Sequence, residues 1–199
     1  MRCTEGGAVR DPGNAHRASR VDRPDPSTGR RGGASVSAMP RITPTLWFGR
    51  DIEAAADFYV ALFPSSRITD VSRYPDDLPD ATMAGRALVV DLELDGQPYR
   101  LLNGGDDGPK PTEALSLSIS VGSQDELDHY WDAFAADGGE EGRCGWVTDR
   151  WGFSWQVVPS VMDRYLGGPD AAGASRAMAA MMGMNRLVIA ELKAAYDGD

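Results

Sequence analysis

The sequence predicts an α+β fold made of two βαβββ units followed by C-terminal helices. Three observations carry this expectation. A strand–helix–strand order that begins at Arg41 recurs at an offset of 72 residues, set by Asp51 and Ser123 as matching helix starts. Each copy then ends in a hairpin signature, Asp95-Gly96 in the first and Asp149-Arg-Trp-Gly152 in the second. After Pro159 the apolar residues change from alternate spacing to helical spacing.

In the first copy, Ile42-Thr-Pro-Thr-Leu-Trp-Phe48 reads as extended, and Asp51 is the expected N-cap of an alanine-rich helix that reaches Phe63 and stops at Pro64. Its apolar face is Ile52, Ala55, Ala56, Tyr59 and Leu62. A strand is expected over 67–73, an acidic loop over 75–80, then a hairpin of 87–94 and 98–102. The second copy opens on the alternating strand 115–121. Ser123 with Glu126 forms a capping box, and Leu127, Tyr130, Trp131 and Phe134 share a helix face that Gly138-Gly139 closes. The run Cys144 to Pro159 supplies the closing hairpin, with Cys144 read as a small buried strand residue and Asp149 as the cap of the turn. Glu140-Glu141 and Asp106-Asp107 read as solvated loop charges. A short helical turn at 159–166 and helices over 170–183 and 186–196 complete the chain. The stripe Met178, Met181 and Met182 is expected to serve as core or as a contact with a second copy.

Residues 1–40 contain no Phe, Trp, Tyr, Leu or Ile. Such a stretch buries too little apolar surface to offset its ordering entropy, so a disordered extension is expected. No apolar h-region marks a signal peptide; an Arg- and Ser-containing transit peptide and a natural start at Met39 both stay open. The extension holds seven Arg against four acids, which leaves 13 basic and 26 acidic residues for the remainder. That negative balance argues against nucleic-acid and anionic-membrane partners. Cys3 and Cys144 are too few for a disulfide framework or zinc cluster, which fits a cytoplasmic location.

The motifs Ile42-Thr-Pro-Thr-Leu-Trp-Phe48, Asp57-Phe-Tyr59 and Glu140-Glu-Gly-Arg-Cys-Gly-Trp-Val-Thr-Asp-Arg-Trp-Gly-Phe-Ser-Trp-Gln-Val-Val-Pro159 resemble the PhnB-like branch of the vicinal oxygen chelate superfamily over residues 41–196. That superfamily also holds glyoxalase I, extradiol dioxygenases and bleomycin-resistance proteins, and the branch carries the name demethylubiquinone methyltransferase-like. The resemblance implies a cup-shaped eight-stranded sheet around a small-molecule pocket, assembled as a homodimer.

It also implies where metal ligands would stand: at Pro44, Arg100, Ser116 and Gln156, counted from the matching helices and turns. None suits a divalent ion, since proline has no donor and arginine stays cationic. His129 is the sole histidine after residue 16 and reads as a solvated helix residue. No metal and no cofactor is therefore expected. A strand, glycine-rich loop and helix for S-adenosylmethionine are also missing from the pattern. The remaining expectation is a metal-independent pocket, with Pro44, Trp47, Arg100, Asn103, Ser116, Cys144 and Gln156 as its candidates and Arg100 as the recogniser of an anionic or carbonyl-bearing ligand. A structural role for Arg100, paired with a neighbouring acid, stands beside that reading. The alternatives are a metal-dependent glyoxalase- or dioxygenase-like enzyme and, third, a methyltransferase.

Overall fold

Eight strands lie in two four-stranded sheets whose strand orders are the same. In the computed structural model, which describes residues 42–78 and 80–199, the first sheet contains β1 (Thr45–Phe48), β2 (Arg67–Arg73), β3 (Ala87–Leu94) and β4 (Gln97–Asn103) in the order β1-β4-β3-β2. The second contains β5 (Ser116–Val121), β6 (Glu140–Glu141), β7 (Trp146–Thr148) and β8 (Ser154–Pro159) in the order β5-β8-β7-β6. In each, the first strand runs parallel to the last and the other pairs are antiparallel. The repeat is thus a repeat of topology, and the α+β expectation holds with the strands divided between two open sheets, not closed into a barrel. The extension expected over 1–40 and the start at Met39 lie outside the described residues.

Each unit lays one helix on one sheet face. Helix α1 (Ile52–Leu62) buries Ile52, Ala55, Ala56 and Tyr59, and α2 (Gln124–Ala135) buries Leu127, Tyr130, Trp131 and Phe134. The facing strand residues are the alternate apolar ones: Leu46, Phe48, Val90, Leu92 and Leu101 in the first unit, Val121, Val147, Trp155 and Val157 in the second. This period of two against 3.6 is the pattern that the sequence carries. The capping box of α2 forms: Ser123 Oγ accepts from the Glu126 amide at 3.2 Å, while Glu126 accepts from the Gly122 amide at 2.7 Å. Asp51 occupies the N-cap of α1 but caps nothing with its side chain. Its backbone is left-handed there, with φ 60°.

Two further expectations fail locally. Glu140-Glu141 form an edge strand, and Glu141 accepts the indole N–H of Trp131 at 3.2 Å. Cys144 is not on a strand. It occupies a turn at φ 58°, half-buried, with its thiol donating to the Met182 sulfur at 3.6 Å. The Gly142–Gly145 segment turns because it joins β6 to β7 while also bonding the C-terminal tail, through Cys144 N–H to Met184 O and Gly145 N–H to Asn185 O, both at 2.8 Å. The tail continues as α3 (Met162–Gly167), α4 (Ala171–Met182) and α5 (Ile189–Asp197). The small residues Gly173 and Ala177 form the buried side of α4, and the methionine stripe divides: Met181 packs against the core, while Met178 and Met182 turn outward at 42% and 52% exposure.

Candidate functional site

The sheet faces away from the helices carry most of the sequence-derived candidates. Trp47 follows from the alternation of β1, whose neighbours Leu46 and Phe48 are buried under α1. Register places Thr45 beside Arg100 and Trp47 beside Leu102. Arg100 lies on that face and is held by Asp91 in a two-bond pair at 2.7 and 2.8 Å. The guanidinium donates into the carboxylate and holds Asp91 below the usual carboxylate range. On the second sheet, Gln156 Nε2 donates to Ser116 Oγ at 2.7 Å across β5 and β8. The structure therefore pairs two candidates, Ser116 and Gln156, with each other and ties a third, Arg100, to Asp91.

Three candidates stand elsewhere. Pro44 precedes the strand, because proline lacks the N–H that a ladder needs, and Thr45 takes the place in register with Arg100. Asn103 is turned to the helix side at 3% exposure. Its amide donates to Ala87 O at 3.0 Å, and its Oδ1 has no protein partner among the described residues. Cys144 sits in its turn against α4, as described above.

What the sequence reading missed is the linker. Residues 104–112 fold back over β1, where the Trp47 indole N–H donates to Gly105 O at 3.3 Å. A Cβ at Gly104 or at Gly108 would collide with the same indole, so both glycines permit a close approach that no larger residue allows. Asp106 pairs with Arg50 at 2.8 Å, and Lys110 donates to Asp106 O at 2.7 Å. The linker and the strands enclose a crevice of about 210 Å³, walled by Thr45, Leu46, Trp47, Leu117 and Phe153, with Lys110 its one charged lining residue. The glycine and proline content of 104–111 was the available signal.

Behind the sheets, Asp149 joins the two units. Its Oδ2 accepts from Tyr59 Oη at 2.6 Å and Trp155 Nε1 at 2.9 Å, and its Oδ1 from the Trp151 and Phe153 amides at 2.9 and 3.0 Å. The turn cap read from the sequence is present; the bond to Tyr59, 90 residues away, was not legible there. Burial pushes the Asp149 carboxyl above the usual carboxylate range despite four donors that pull it down, and burial also raises Tyr59 well above an ordinary phenol.

Residues 40–158 match the model of the family described as 3-demethylubiquinone-9 3-methyltransferase. The chain belongs to this family. The match ends at 158, so the helical tail, included in the resemblance read from the sequence, lies beyond it. Among solved structures, a PhnB protein from Bacillus cereus named for the same family is 26% identical with a TM-score of 0.53, over 61% of this chain and 100% of that one. A protein from Pseudomonas aeruginosa gives 22% and 0.46 over 61% and 98%. The fosfomycin resistance protein FosX from Listeria monocytogenes gives 17% and 0.45 over 66% and 98%. No curated protein matches. The PhnB protein shares with this chain the fold that the closing hairpin implied.

The family's name and fold imply two groups, and the residues here fit neither. The positions that the resemblance marks as ligand-equivalent hold a proline, a guanidinium locked on Asp91, a serine and an amide. Among the described residues, no group of three or more His, Cys, Asp or Glu side chains is placed to hold a metal ion. For S-adenosylmethionine, the loop from β1 into α1 has a single glycine, Gly49, and the space over it is taken by Asp106.

Proposed function

We propose that this chain binds a small molecule, without a metal, in the crevice where β1 meets β5 and β8. The observation that carries the reading is the lining: an apolar slot whose one charged lining residue is a lysine suits an apolar body with an anionic or carbonyl group at Lys110. The Trp47 indole forms one wall and is fixed by the linker, so the slot is preorganised. Arg100, Ser116 and Gln156 lie on the sheet face that continues from it, and the bonds of Arg100 to Asp91 and of Gln156 to Ser116 lower their claim to direct contact. The same reading includes assembly as a homodimer, checked by light scattering.

A thermal-shift screen of small carboxylic acids and ketones tests this. A ligand at a hundred times its Kd stabilises by about 2.7 kcal/mol, which raises the melting temperature by roughly 5 to 10 °C. Ala114→Trp, a substitution at an exposed lining residue, is expected to abolish the shift and leave the unliganded melting temperature unchanged. Stoichiometric metal that is lost on replacing Arg100 or Gln156, or saturable S-adenosylmethionine binding by calorimetry, would overturn the reading.

A further inference from the structure

A second cavity, of about 320 Å³, opens between the Asp95-Gly96 hairpin of the first unit and strand β5 with helix α2 of the second. Its walls include four aromatic rings, Phe63, Tyr99, Tyr130 and Trp155, and its charged lining residues are Asp95 and Glu126. No lysine or arginine lines it. Phe63 stacks between Tyr130 at 5.3 Å and Trp155 at 5.5 Å, which gives an apolar wall of fixed shape. Glu126 uses one oxygen to accept the Gly122 amide, and neither carboxylate forms an ion pair among the described residues.

We propose that this cavity binds a small organic ammonium, its apolar body against the rings and its positive charge between Asp95 and Glu126. The two carboxylates line the cavity from different units, and both act on Tyr130: after burial, their charges are what hold its phenol above the ordinary value. Acidic residues in the first turn of α2, Asp125 and Glu126, outweigh the partial positive charge of the helix start. Tyr99, the one lining ring with no aromatic partner among the described residues, adds its ring quadrupole, which favours a cation over a neutral molecule of the same shape. A bare metal ion gains nothing from such walls, because hard cations need a shell of oxygens. The contrast with the first crevice is one of sign. Leu117 lines both spaces, and the side with Lys110 selects against the cation that this side attracts.

The test compares choline with 3,3-dimethyl-1-butanol, which has the same shape without the charge, by calorimetry on the full chain. Choline is expected to bind in the millimolar range and the alcohol at least tenfold more weakly. Glu126→Gln keeps the capping box, and Asp95→Asn suits a left-handed turn position, so both variants retain the fold, as circular dichroism checks. Each is expected to weaken choline by about fivefold or more, and Lys110→Ala to leave it unchanged. Equal binding of the alcohol, indifference to both acidic substitutions, preference for calcium over choline, or no binding of choline at all would each overturn the proposal. It does not rest on the first crevice, whose ligand responds to Ala114→Trp instead.

Discussion

At the scale of single residues, Asp149 combines the largest set of partners with the deepest burial of any carboxylate described, at 2% exposure. Four donors converge on two oxygens. Asp149→Asn keeps the shape but replaces one oxygen with an N–H, and whichever way the amide turns, a backbone or indole donor then faces another donor. A buried donor left without an acceptor costs about 1–3 kcal/mol, so urea denaturation of D149N is expected to show that loss, and Tyr59→Phe a smaller one of about 1 kcal/mol. The pH dependence has a definite sign. A raised native pKa means that the folded chain holds this proton more tightly than the unfolded chain. The stability it contributes is therefore full below the unfolded value of about 3.9 and is lost as pH rises through the raised native value. The stability of the wild type relative to D149N should fall across that window; a difference that is flat or rises with pH would contradict the assignment of burial as the dominant cause.

At the scale of elements, the linker 104–112 does for Trp47 what a strand neighbour would do in a simpler sheet. It accepts the indole N–H and presents two glycines to the ring. Gly108→Ala forces the indole or the loop to move, at a cost of about 1–3 kcal/mol, and the Trp47 contribution to fluorescence should shift to the red as water reaches it. Unchanged emission would mean that the loop yields and the indole does not. The strands around this linker were legible because their signals are local. Alternation and Asp95-Gly96 fix β3 and β4 to within a residue, and the capping box fixes the start of α2. The site was less legible because its placement depends on register. One residue of slip separates Pro44 from Thr45 beside Arg100, and Asn103, which alternates in phase with Leu101, faces the core. Cys144 follows no alternation at all, since its turn is set by bonds to a tail 40 residues further on. Pairings such as Arg100 with Asp91 are local enough to anticipate, and the sequence supports that alternative by itself.

At the scale of the whole described molecule, the two units share a core. Helix α1 covers its own sheet with Ala55 and Ala56, while its rings and that of Phe63, the residue after it, reach into the second unit: Phe58 at 5.4 Å from Trp151, Tyr59 at 5.5 Å from Trp155, and Phe63 on Tyr130. Phe134 and Trp155 stack at 4.4 Å beneath them, closing the cluster from the other side. A first unit without its partner would expose Phe58, Tyr59 and Phe63 together, a patch that a small sheet with one helix has no other means to cover. The small size of each half points the same way, because a short chain buries too small a fraction of its surface to be stable alone. Unfolding is therefore expected to be a single transition. Trp47 reports the first unit and Trp131, Trp146, Trp151 and Trp155 the second, so a Trp47→Phe variant separates their signals. Fluorescence and far-ultraviolet circular dichroism should then give coincident midpoints in urea. Phe63→Ala removes a ring that is 8% exposed and touches both units, and about 3–5 kcal/mol of loss should lower the two midpoints together. Separate midpoints, or a first unit that survives while the second melts, would show that the aromatic cluster joins two independently stable domains and is not the common core of one.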